Sequence, residues 1–324
     1  MKRILVTGAI GQIGSELTVE LRRIYGYDNV IATDIRMPTN IQLRDSGPFE
    51  FMDCTDPQHI TRVMQIYQVD TIYHLAAILS AVGEMKPNQA WQINVNGLYN
   101  MLEAARQYHC GLFVPSSIGA FGVLTPKDKT PQDTIQRPET MYGISKVTGE
   151  LLCDYYFKRF NLDTRGVRFP GLISYETEPG GGTTDYAVEI YSEALRHQKY
   201  TCYLGADTYL DMMYMPDAIT AMISLMEADP SRLIHRNAFN VTAMNFTPAQ
   251  QAEEIRKHIP EFEIDYNVDP IRQEIADSWP NSLDDSAARE EWGWNPKYDL
   301  SSMTIEMLDK LAERLNLPQE QKTR

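Results

Sequence analysis

Short apolar runs alternate with amphipathic stretches through the first half of the chain. Four runs have the length of buried strands: residues 2–7, 29–33, 70–77 and 112–114. The stretch after the first run repeats apolar side chains at the spacing of one helical face: Ile13, Leu17, Leu21 and Ile24. Residues 87–108 and 141–160 continue the helical pattern. This alternation predicts an α/β fold, in which helices cover both faces of a doubly wound parallel sheet.

The pattern becomes irregular beyond residue 170. A glycine-rich stretch at 178–185 interrupts regular structure, and shorter helices are predicted after it: 186–197, 217–227 and 247–257. We expect this part to form a smaller C-terminal cap that is interleaved with the sheet. The expected division assigns residues 1–170 to the sheet domain, about 210–245 to segments that return to it, 171–316 mainly to the cap and 317–324 to a polar tail.

Composition narrows the class of protein. The 324 residues carry a net charge of −14, which argues against a general binder of nucleic-acid backbones. The four cysteines are far apart and form no C-x-x-C pair, so neither a zinc site nor a disulfide framework is indicated. No charged-then-apolar leader and no apolar run of membrane-spanning length is visible. We therefore expect a soluble cytoplasmic protein without a metal.

A glycine-rich turn joins the first strand to the first helix. Its glycines are Gly8, Gly11 and Gly14. In a Rossmann-type sheet, such glycines permit the tight turn, the approach of a pyrophosphate and close helix packing, while backbone N–H groups at Gln12 and Ile13 face the phosphates. Asp34 ends the second strand about 20 residues later, where an acid accepts the ribose 2′-OH. The sequence predicts a dinucleotide site in residues 1–170 and favours NAD, although Arg36 could accommodate the 2′-phosphate of NADP.

Further candidates for this cofactor follow the later strands. Asp53 either accepts from the adenine amino group or belongs to a helix N-cap region in which Asp56–Pro57 starts the helix, and both interpretations stay open. Small residues after the third long apolar run let the backbone approach the cofactor, and the candidates there are Leu75, Ala76 and Ala77. Asn94 and Pro170 complete the set. His74 is expected to be a satisfied core histidine.

A tyrosine and a lysine share one face of the helix predicted at 141–160. Tyr142 and Lys146 stand four residues apart, and an ammonium close to a phenol favours the phenolate, which can accept a proton. Ser117 follows a strand on the edge where ligands bind, and its hydroxyl is suited to hold a substrate oxygen. Asn96 is a candidate brace for Lys146 or for a water. Packing and surface roles are the alternative for this pair, and the dinucleotide motif favours catalysis.

These residues together resemble the extended short-chain dehydrogenase/reductases, the family that includes UDP-galactose epimerase. The resemblance covers essentially the whole chain and rests on T-G-x-x-G-x-x-G at 7–14, Asp34, residues 74–77, the serine pair at 116–117 and the Tyr142/Lys146 pair. Within the family, the chain is similar to NAD-dependent L-threonine 3-dehydrogenases of the short-chain type on three segments: 167–174, 179–187 and 210–218.

The resemblance implies oxidation of L-threonine at C3 to L-2-amino-3-oxobutyrate, with NAD as acceptor and a homodimer as the assembly. It also implies residue roles. Tyr142 would be the general base, Lys146 would support it and hold the ribose, and Ser117 would contact the reacting oxygen. The position of Ser117 is often threonine in these enzymes, a change that keeps the hydroxyl.

An amino acid substrate needs an acceptor for its ammonium group and donors for its carboxylate. Asp185 is the candidate acceptor, and the candidate donors or backbone contacts are Ser80, Gly182, Thr183 and Thr184. The same loop is equally compatible with a turn followed by a Thr or Asp helix cap. Both interpretations hold if the capped helix closes on substrate, so we expect the loop to act as a lid.

Two other functions stay open at this point. A nucleotide-sugar epimerase or dehydratase shares the fold, the cofactor and the tyrosine–lysine pair. A sugar dehydratase is expected to carry acids after the active hydroxyl, where this chain has Ile118 and Gly119. A sugar diphosphate needs basic groups, and residues 170–217 offer only Arg196, His197 and Lys199. A non-catalytic NAD sensor would have no use for a positioned base.

Overall fold

The computed structural model describes residues 1–177 and 180–315, apart from the side chain of Gln42. The predicted polar tail and the first two residues of the glycine-rich stretch lie outside the described residues. None of the described helices is long and apolar enough to cross a membrane.

The strands and helices follow the predicted alternation. The strands are β1 (Ile4–Thr7), β2 (Val30–Asp34), β3 (Phe49–Phe51), β4 (Thr71–His74), β5 (Gly111–Phe113), β6 (Ser116–Ser117), β7 (Thr164–Arg165), β8 (Val167–Phe169), β9 (Gly171–Ile173), β10 (Lys199–Cys202), β11 (Leu210–Tyr214), β12 (Phe239–Asn240), β13 (Met244–Phe246) and β14 (Glu263–Tyr266). The helices are α1 (Gln12–Tyr25), α2 (Ile41–Asp45), α3 (Pro57–Tyr67), α4 (Ser80–Met85), α5 (Pro87–Trp91), α6 (Leu98–Tyr108), α7 (Met141–Phe160), α8 (Tyr186–His197), α9 (Met215–Glu227), α10 (Pro248–Arg256), α11 (Pro270–Ser278), α12 (Ser286–Trp292) and α13 (Leu300–Arg314).

A six-stranded parallel sheet forms the centre, in the order β3-β2-β1-β4-β5-β7. Strand β1 pairs with β2 on one side and with β4 on the other, so the strand order reverses at β1. Ligands bind at such a reversal, beyond the carboxyl ends of the strands. The predicted doubly wound α/β fold is confirmed, and this edge positions the candidate site.

Apolar cores cover both faces of the sheet. One core packs β1 against α1, α9 and α12, and the other packs β4 and β5 against α3, α6 and α7. Leu17 and Leu21 are buried as predicted, whereas Ile24 is 43% exposed and that part of the predicted stripe is wrong. Arg22 takes the buried position in this last turn of α1, because its guanidinium donates to the backbone oxygens of Leu43 and Pro48, each at 2.6 Å.

The C-terminal half builds a third core and three small sheets. Helices α8, α10, α11 and α13 pack around β10 and β11. The small sheets pair β10 with β14, β9 with β11 and β13, and β6 with β8 and β12. Helix α9 follows β11 and packs against α1, so this segment contacts the central sheet. The domain boundaries given above stay a prediction.

Candidate active site

The glycine-rich turn after β1 has a shape that only glycines allow. Gly8 has φ +65°, and a Cβ there would lie 2.8 Å from the backbone nitrogen of Ala76. A Cβ on Gly14 would lie 2.2 Å from the oxygen of Gly8, so α1 packs directly on the turn. Gly11 is exposed at the start of α1, where backbone N–H groups attract phosphate. The turn therefore suits the pyrophosphate of a dinucleotide.

A buried side-chain amide at the start of α1 lacks a partner. The Nε2 atom of Gln12 is buried and makes no hydrogen bond within the described residues. Buried amide donors are almost always paired in folded proteins. Gln12 and Ile13 both line the smaller cavity described below. A polar ligand at this position would supply the missing acceptor, which fits a dinucleotide.

A cleft of about 540 Å³ runs from the glycine turn across the ends of β2 and β4. Gly8, Gly11, Asp34 and Asp53 line it. The carboxylate of Asp34 accepts from the backbone N–H groups of residues 35 and 36, at 2.8 and 3.3 Å. The Nε of Arg36 lies 4.0 Å from the same carboxylate, on a side chain that is 73% exposed. The acid and the arginine therefore both stand at the ribose end of the cleft.

Both interpretations of the Asp53 region have structural support. Asp53 lines the cleft, and its Oδ1 accepts from the N–H and the hydroxyl of Thr55, each at 2.8 Å. Asp56 is the N-cap of α3, because its carboxylate accepts from the N–H of Gln58 at 2.8 Å, and Pro57 follows it. One acid thus faces the cleft, and the other starts the helix.

A smaller cavity of about 140 Å³ adjoins this cleft and collects most of the other candidates. Its lining comes from separate parts of the chain and includes Gln12, Ile13, Leu75, Ala77, Ser80, Ser117, Tyr142, Lys146, Pro170, Gly182, Thr183, Thr184 and Asp185. Ala76 lines the larger cleft together with its two neighbours. The structure therefore brings the predicted catalytic, cofactor and substrate residues to one continuous space.

The tyrosine and the lysine lie near the start of α7. Thr140 caps this helix, and Glu84 accepts from the N–H of Met141 at 2.6 Å. The Nζ of Lys146 donates to the backbone oxygen of Pro115 at 2.7 Å and lies 5.3 Å from the centroid of the Tyr142 ring. The cation thus stands beside the phenol, as the spacing of four residues predicts.

Ser117 lies across from Tyr142 at the end of β6. Its Oγ accepts from the N–H of Gly119 at 3.1 Å. A Cβ on Gly119 would lie 3.1 Å from the Tyr142 ring, so the absence of a side chain there admits the ring. The serine hydroxyl and the phenol consequently line the same wall of the cavity.

A π-helical turn, Gln92–Gly97, joins α5 to α6 and rotates Asn94 inward. Its side-chain amide accepts from the N–H of Ile78 at 2.7 Å and donates to Ser145 at 3.1 Å. Asn94 therefore ties the loop after β4 to α7. Asn96 instead donates to Gln92 at 2.7 Å, and Lys146 donates to Pro115, so a direct bond from Asn96 to Lys146 is not formed. Its alternative role toward a water stays a prediction.

His74 lies below the cavity at the end of β4. Its Nδ1 is 2.8 Å from the hydroxyl of Thr7. Burial lowers the pKa of His74 to about 3, and the charge of Lys146 acts in the same direction. The imidazole is therefore neutral at physiological pH, as expected for a core histidine.

The glycine-rich loop closes on α4 above the cavity. The Asp185 carboxylate accepts from the N–H groups of Gly181 and Gly182, each at 2.8 Å, and both bonds end on Oδ2. Burial raises the pKa of Asp185, while these two bonds lower it. The hydroxyls of Ser80 and Thr183 lie 3.2 Å apart. Asp185 stands at the N-cap position of α8 but makes no side-chain cap bond, so the carboxylate closes the turn that precedes the helix.

Several residues that line the smaller cavity were not predicted from the sequence, and Trp279 is the largest of them. Trp279 follows α11 and forms a wall of the smaller cavity with only 6% of its surface exposed. Ser282 and Leu283 hold this segment, since Ser282 accepts from the N–H of Thr130 and Leu283 donates to Asp211, each at 2.9 Å. No local motif marks Trp279, because it reaches the site through contacts between distant segments.

Comparison with known proteins places the chain in a family. A family model described as "NAD dependent epimerase/dehydratase family" matches residues 4–241. An uncharacterized epimerase/dehydratase from Staphylococcus haemolyticus is 57% identical over 314 residues, which are 97% of this chain and 99% of the relative.

Solved structures are similar over the same length. The L-threonine dehydrogenase of Clostridium difficile has a TM-score of 0.95 and 58% identity, covering 97% of this chain and 98% of its own. A monomeric L-threonine 3-dehydrogenase from a metagenome database, in its apo form, has a TM-score of 0.92 and 47% identity, covering 97% and 99%. The predicted family resemblance is confirmed: the chain belongs to the NAD dependent epimerase/dehydratase family.

Proposed function

We propose that this protein oxidises the C3 hydroxyl of L-threonine to give L-2-amino-3-oxobutyrate, with NAD as the hydride acceptor. The observation that carries the proposal is the shared cavity, in which Tyr142, Lys146 and Ser117 face the loop Gly182–Asp185 beside the glycine-rich turn. The similarity to L-threonine dehydrogenases over nearly the whole chain supports the same activity.

The residues around the cleft suit NAD in particular. Gly8, Gly11 and Gly14 would hold the pyrophosphate on the start of α1, and Asp34 would accept from the adenosine ribose. The nicotinamide end would lie in the smaller cavity beside Gln12, which has an unpaired donor there. A bound nicotinamide supplies the two-electron acceptor for the C3 hydrogen.

The protein's own task is to orient the alcohol and to remove its proton. Ser117 would hold the C3 oxygen by a hydrogen bond, and the Tyr142 phenolate would take the hydroxyl proton. Lys146 supports the phenolate because its ammonium lies on the same side of the helix. Its bond to the Pro115 oxygen fixes the ammonium in that place. The C3–H bond breaks as the oxygen becomes a ketone.

The closed loop suits the two charged ends of an amino acid. Asp185 uses only Oδ2 in its bonds to the described residues, which leaves Oδ1 for an ammonium group, directly or through water. The hydroxyls of Ser80, Thr183 and Thr184 line the same cavity and would serve the carboxylate. A compact α-amino acid with a 3-hydroxyl group matches this arrangement.

A nucleotide sugar matches it less well. Among the described lining residues of the smaller cavity, Lys146 is the sole basic side chain. Arg196 and Lys199 line a separate depression on the outer side of α8, together with Glu189 and Glu193. A sugar diphosphate would therefore meet carboxylates there and no cluster of cations inside.

Reduced-cofactor absorbance tests the proposed function. Purified protein is incubated with NAD and, in separate reactions, L-threonine, L-serine or a UDP-hexose. We expect the absorbance of reduced cofactor to increase with threonine, and the ketone product to form in the same amount as the reduced cofactor. An epimerase or dehydratase returns the hydride to the sugar, so conversion of the UDP-hexose to another sugar without net reduction of NAD would favour the sugar enzyme. NAD binding without turnover of any substrate would favour a sensor.

We also propose that the protein is a homodimer that uses the outer face of α7. Ile144, Leu151 and Tyr155 are 40%, 62% and 53% exposed and follow one another at helical spacing. Tyr99 on α6 is 49% exposed and lies beside this stripe, 6.4 Å from the ring of Tyr156. A contiguous apolar face of this kind is typical of a subunit contact.

We place the protein in the cytoplasm. All four cysteines are free and buried in the structure, which suits a reducing compartment. Fractionation of the source cells with an antibody to the protein would test this assignment.

A further inference from the structure

A buried ion pair lies behind the candidate catalytic residues. The carboxylate of Glu150 accepts from the Nε and Nη2 of Arg168, at 3.1 and 2.8 Å. The two side chains are only 6% and 7% exposed. A pair with this geometry holds its partners in a fixed orientation, and it forms no part of the proton transfer described above.

The pair joins the elements that carry the reacting groups. Glu150 lies one helical turn beyond Lys146 on α7. The hydroxyl of Ser116, next to Ser117 on β6, donates to the Glu150 carboxylate. Arg168 is the register partner of Ser116 in the parallel pairing of β6 with β8. The catalytic helix and the serine strand therefore meet at one carboxylate.

The remaining polar atoms of the pair are also bound. Gln136 donates to Glu150 at 2.7 Å. Arg168 donates to the backbone oxygen of Gln132 at 2.7 Å and to the side-chain oxygen of Asn240 at 3.1 Å. A buried network whose members are all satisfied is rigid, whereas the loss of one member leaves an uncompensated charge.

Lys146 and Glu150 both line a small cavity of about 30 Å³, which is enough for a bound water. The lining is mixed, because apolar residues such as Leu75 and Leu98 stand beside the polar side chains of His74, Asn94, Ser116, Ser145 and Asn237. Glu150 is therefore one helical turn away from Lys146 and borders the same small cavity, so its charge acts on Lys146 at short range.

We propose that Glu150, held by Arg168, is a positioning residue that fixes α7 against β6. Its negative charge also offsets the positive charge of Arg168 near Lys146. Through this net charge, Glu150 influences how easily Tyr142 accepts a proton. The identity of the substrate in this inference rests on the proposed function. The effect on the phenol of Tyr142 does not.

The sign of the effect follows from the groups around Lys146 and Tyr142. In the described structure these are His74 from β4, Glu84 from α4, Asp185 before α8, Glu150 from α7 and Arg168 from β8. As long as the ion pair is intact, its two charges largely cancel. Glu150→Gln leaves an uncompensated guanidinium, and a nearby positive charge favours the phenolate. The phenol should then ionise at a lower pH.

The experiment is an ultraviolet titration of the Tyr142 phenolate. Because the chain has 18 tyrosines, each spectrum is taken as a difference against Tyr142→Phe in the same background. We expect Glu150→Gln to lower the titration midpoint by roughly half a pH unit. We also expect kcat for threonine to fall about tenfold with the Kd for NAD unchanged within about twofold.

Asp154→Asn is the matched control. Asp154 lies one further turn along α7, is half-buried, and accepts from Asn237 at 3.2 Å. The Asp154→Asn variant should keep the phenolate midpoint and the kcat of the original protein. If the phenolate midpoint shifts equally in Asp154→Asn and Glu150→Gln, the effect is a general one of charge and the positioning role is overturned. The role is also overturned if Glu150→Gln folds and keeps both the original midpoint and the original kcat.

A second variant covers the case in which Glu150→Gln does not fold. Glu150→Asp keeps the charge but withdraws the carboxylate by about one C–C bond. We expect an unshifted midpoint with kcat reduced about threefold to tenfold, and an unreduced kcat would overturn the proposal. If the original protein does not oxidise threonine, the proposed function fails, and the phenolate titration still decides this inference.

Discussion

A single oxygen atom distinguishes Tyr142 from a phenylalanine at the centre of the cavity. We expect Tyr142→Phe to lower kcat by about two to four powers of ten, the usual contribution of a general base, with NAD binding retained. Steady-state rates and an NAD titration measure both quantities. Tyr27→Phe is the control, because Tyr27 is 59% exposed and belongs to none of the proposed contacts. Near-normal turnover of Tyr142→Phe would contradict its role.

Trp279 forms a wall of the smaller cavity, so we expect it to limit the room for the substrate. Trp279→Ala should raise the KM for threonine about tenfold, since one wall of the small cavity is lost, and should admit 3-hydroxy amino acids with bulkier side chains. Removing this buried ring should also cost roughly 3 kcal/mol of stability. Kinetics with threonine and 3-phenylserine measure the change. Trp91→Ala on exposed α5 should behave as the original protein, and an unaltered KM in Trp279→Ala would exclude Trp279 from selection.

Individual residues were predictable where local geometry dictates their type. Gly8 and Gly14 leave no space for a Cβ, and their spacing is visible in the sequence. Trp279 has no such mark, because its place depends on how α11 packs and on the bond from Leu283 to Asp211. Local patterns carry no information about contacts of that range.

At the level of elements, the glycine-rich loop is the part that we expect to close on the substrate. Gly181 has φ +94°, and a Cβ there would lie 3.1 Å from Val82 on α4. Gly181→Ala should therefore hold the loop away from α4 and lower kcat/KM for threonine by roughly tenfold or more, while NAD binding is unchanged. Limited proteolysis should detect greater cleavage at the loop.

Gly180→Ala is the control for this loop. Its φ is outside the left-handed region, and its added Cβ would lie 3.3 Å from the flexible end of Leu79. It should keep most of the activity. If both variants lose activity equally, the backbone conformation at Gly181 is not what controls closure. The lid itself stays a prediction until protection by NAD and threonine is measured.

Elements were predictable in type but not in every detail. The helices at 141–160 and 186–197 lie where the sequence predicts them. The stretch 87–108 contains a π-helical turn that the apolar pattern does not reveal, although Val95 and Leu98 are buried as that pattern predicts. Within this turn Asn94 donates to Ser145 on α7, whereas Asn96 donates to Gln92 in the same turn.

At the scale of the whole molecule, the apolar stripe on α7 predicts association. Leu151→Asp places a charge in the centre of the stripe and should convert a dimer to monomers, with the Kd for dissociation raised at least a hundredfold. Sedimentation at several concentrations measures this. Ile234→Asp is the control, because Ile234 is 82% exposed on a distant loop. The proposal would be refuted if the unmodified protein sedimented as a monomer. One similar L-threonine 3-dehydrogenase is described as monomeric.

Two carboxyl groups, one on partly buried Glu16 and one on fully buried Asp211, should make stability depend on pH. Burial raises the pKa of Glu16 to about 7 and that of Asp211 to about 8. The unfolded chain releases these protons near pH 4, so the folded state binds them more tightly. The stability that they contribute is complete below about pH 4 and is lost as the pH rises through 7 and 8.

Asp211→Asn tests this dependence. The amide does not ionise, so the thermal midpoint of the variant should fall less between about pH 6 and pH 9 than the drop of several degrees expected for the original protein. Calorimetry at a series of pH values measures it. Asp207→Asn, at an exposed site, should show the same pH dependence of the thermal midpoint as the original protein. If the curve of Asp211→Asn runs parallel to that of the original protein, the Asp211 carboxyl is not the cause.

The arrangement of the whole molecule was the least predictable level. The central sheet follows from alternating patterns, because each strand pairs with neighbours that the chain order favours. The cap does not follow, because its small sheets join strands such as β10 and β14 from distant parts of the chain. Which segments meet there is decided by packing across the third core.

The wall formed by Trp279 has a consequence for the order of folding. Its position depends on the bond from Leu283 to Asp211, which joins two distant parts of the chain. The core beneath the dinucleotide turn also depends on α9 and α12, which come late in the sequence. We therefore expect the coenzyme cleft and the wall beside the substrate cavity to form together, when the last third of the chain packs onto the sheet.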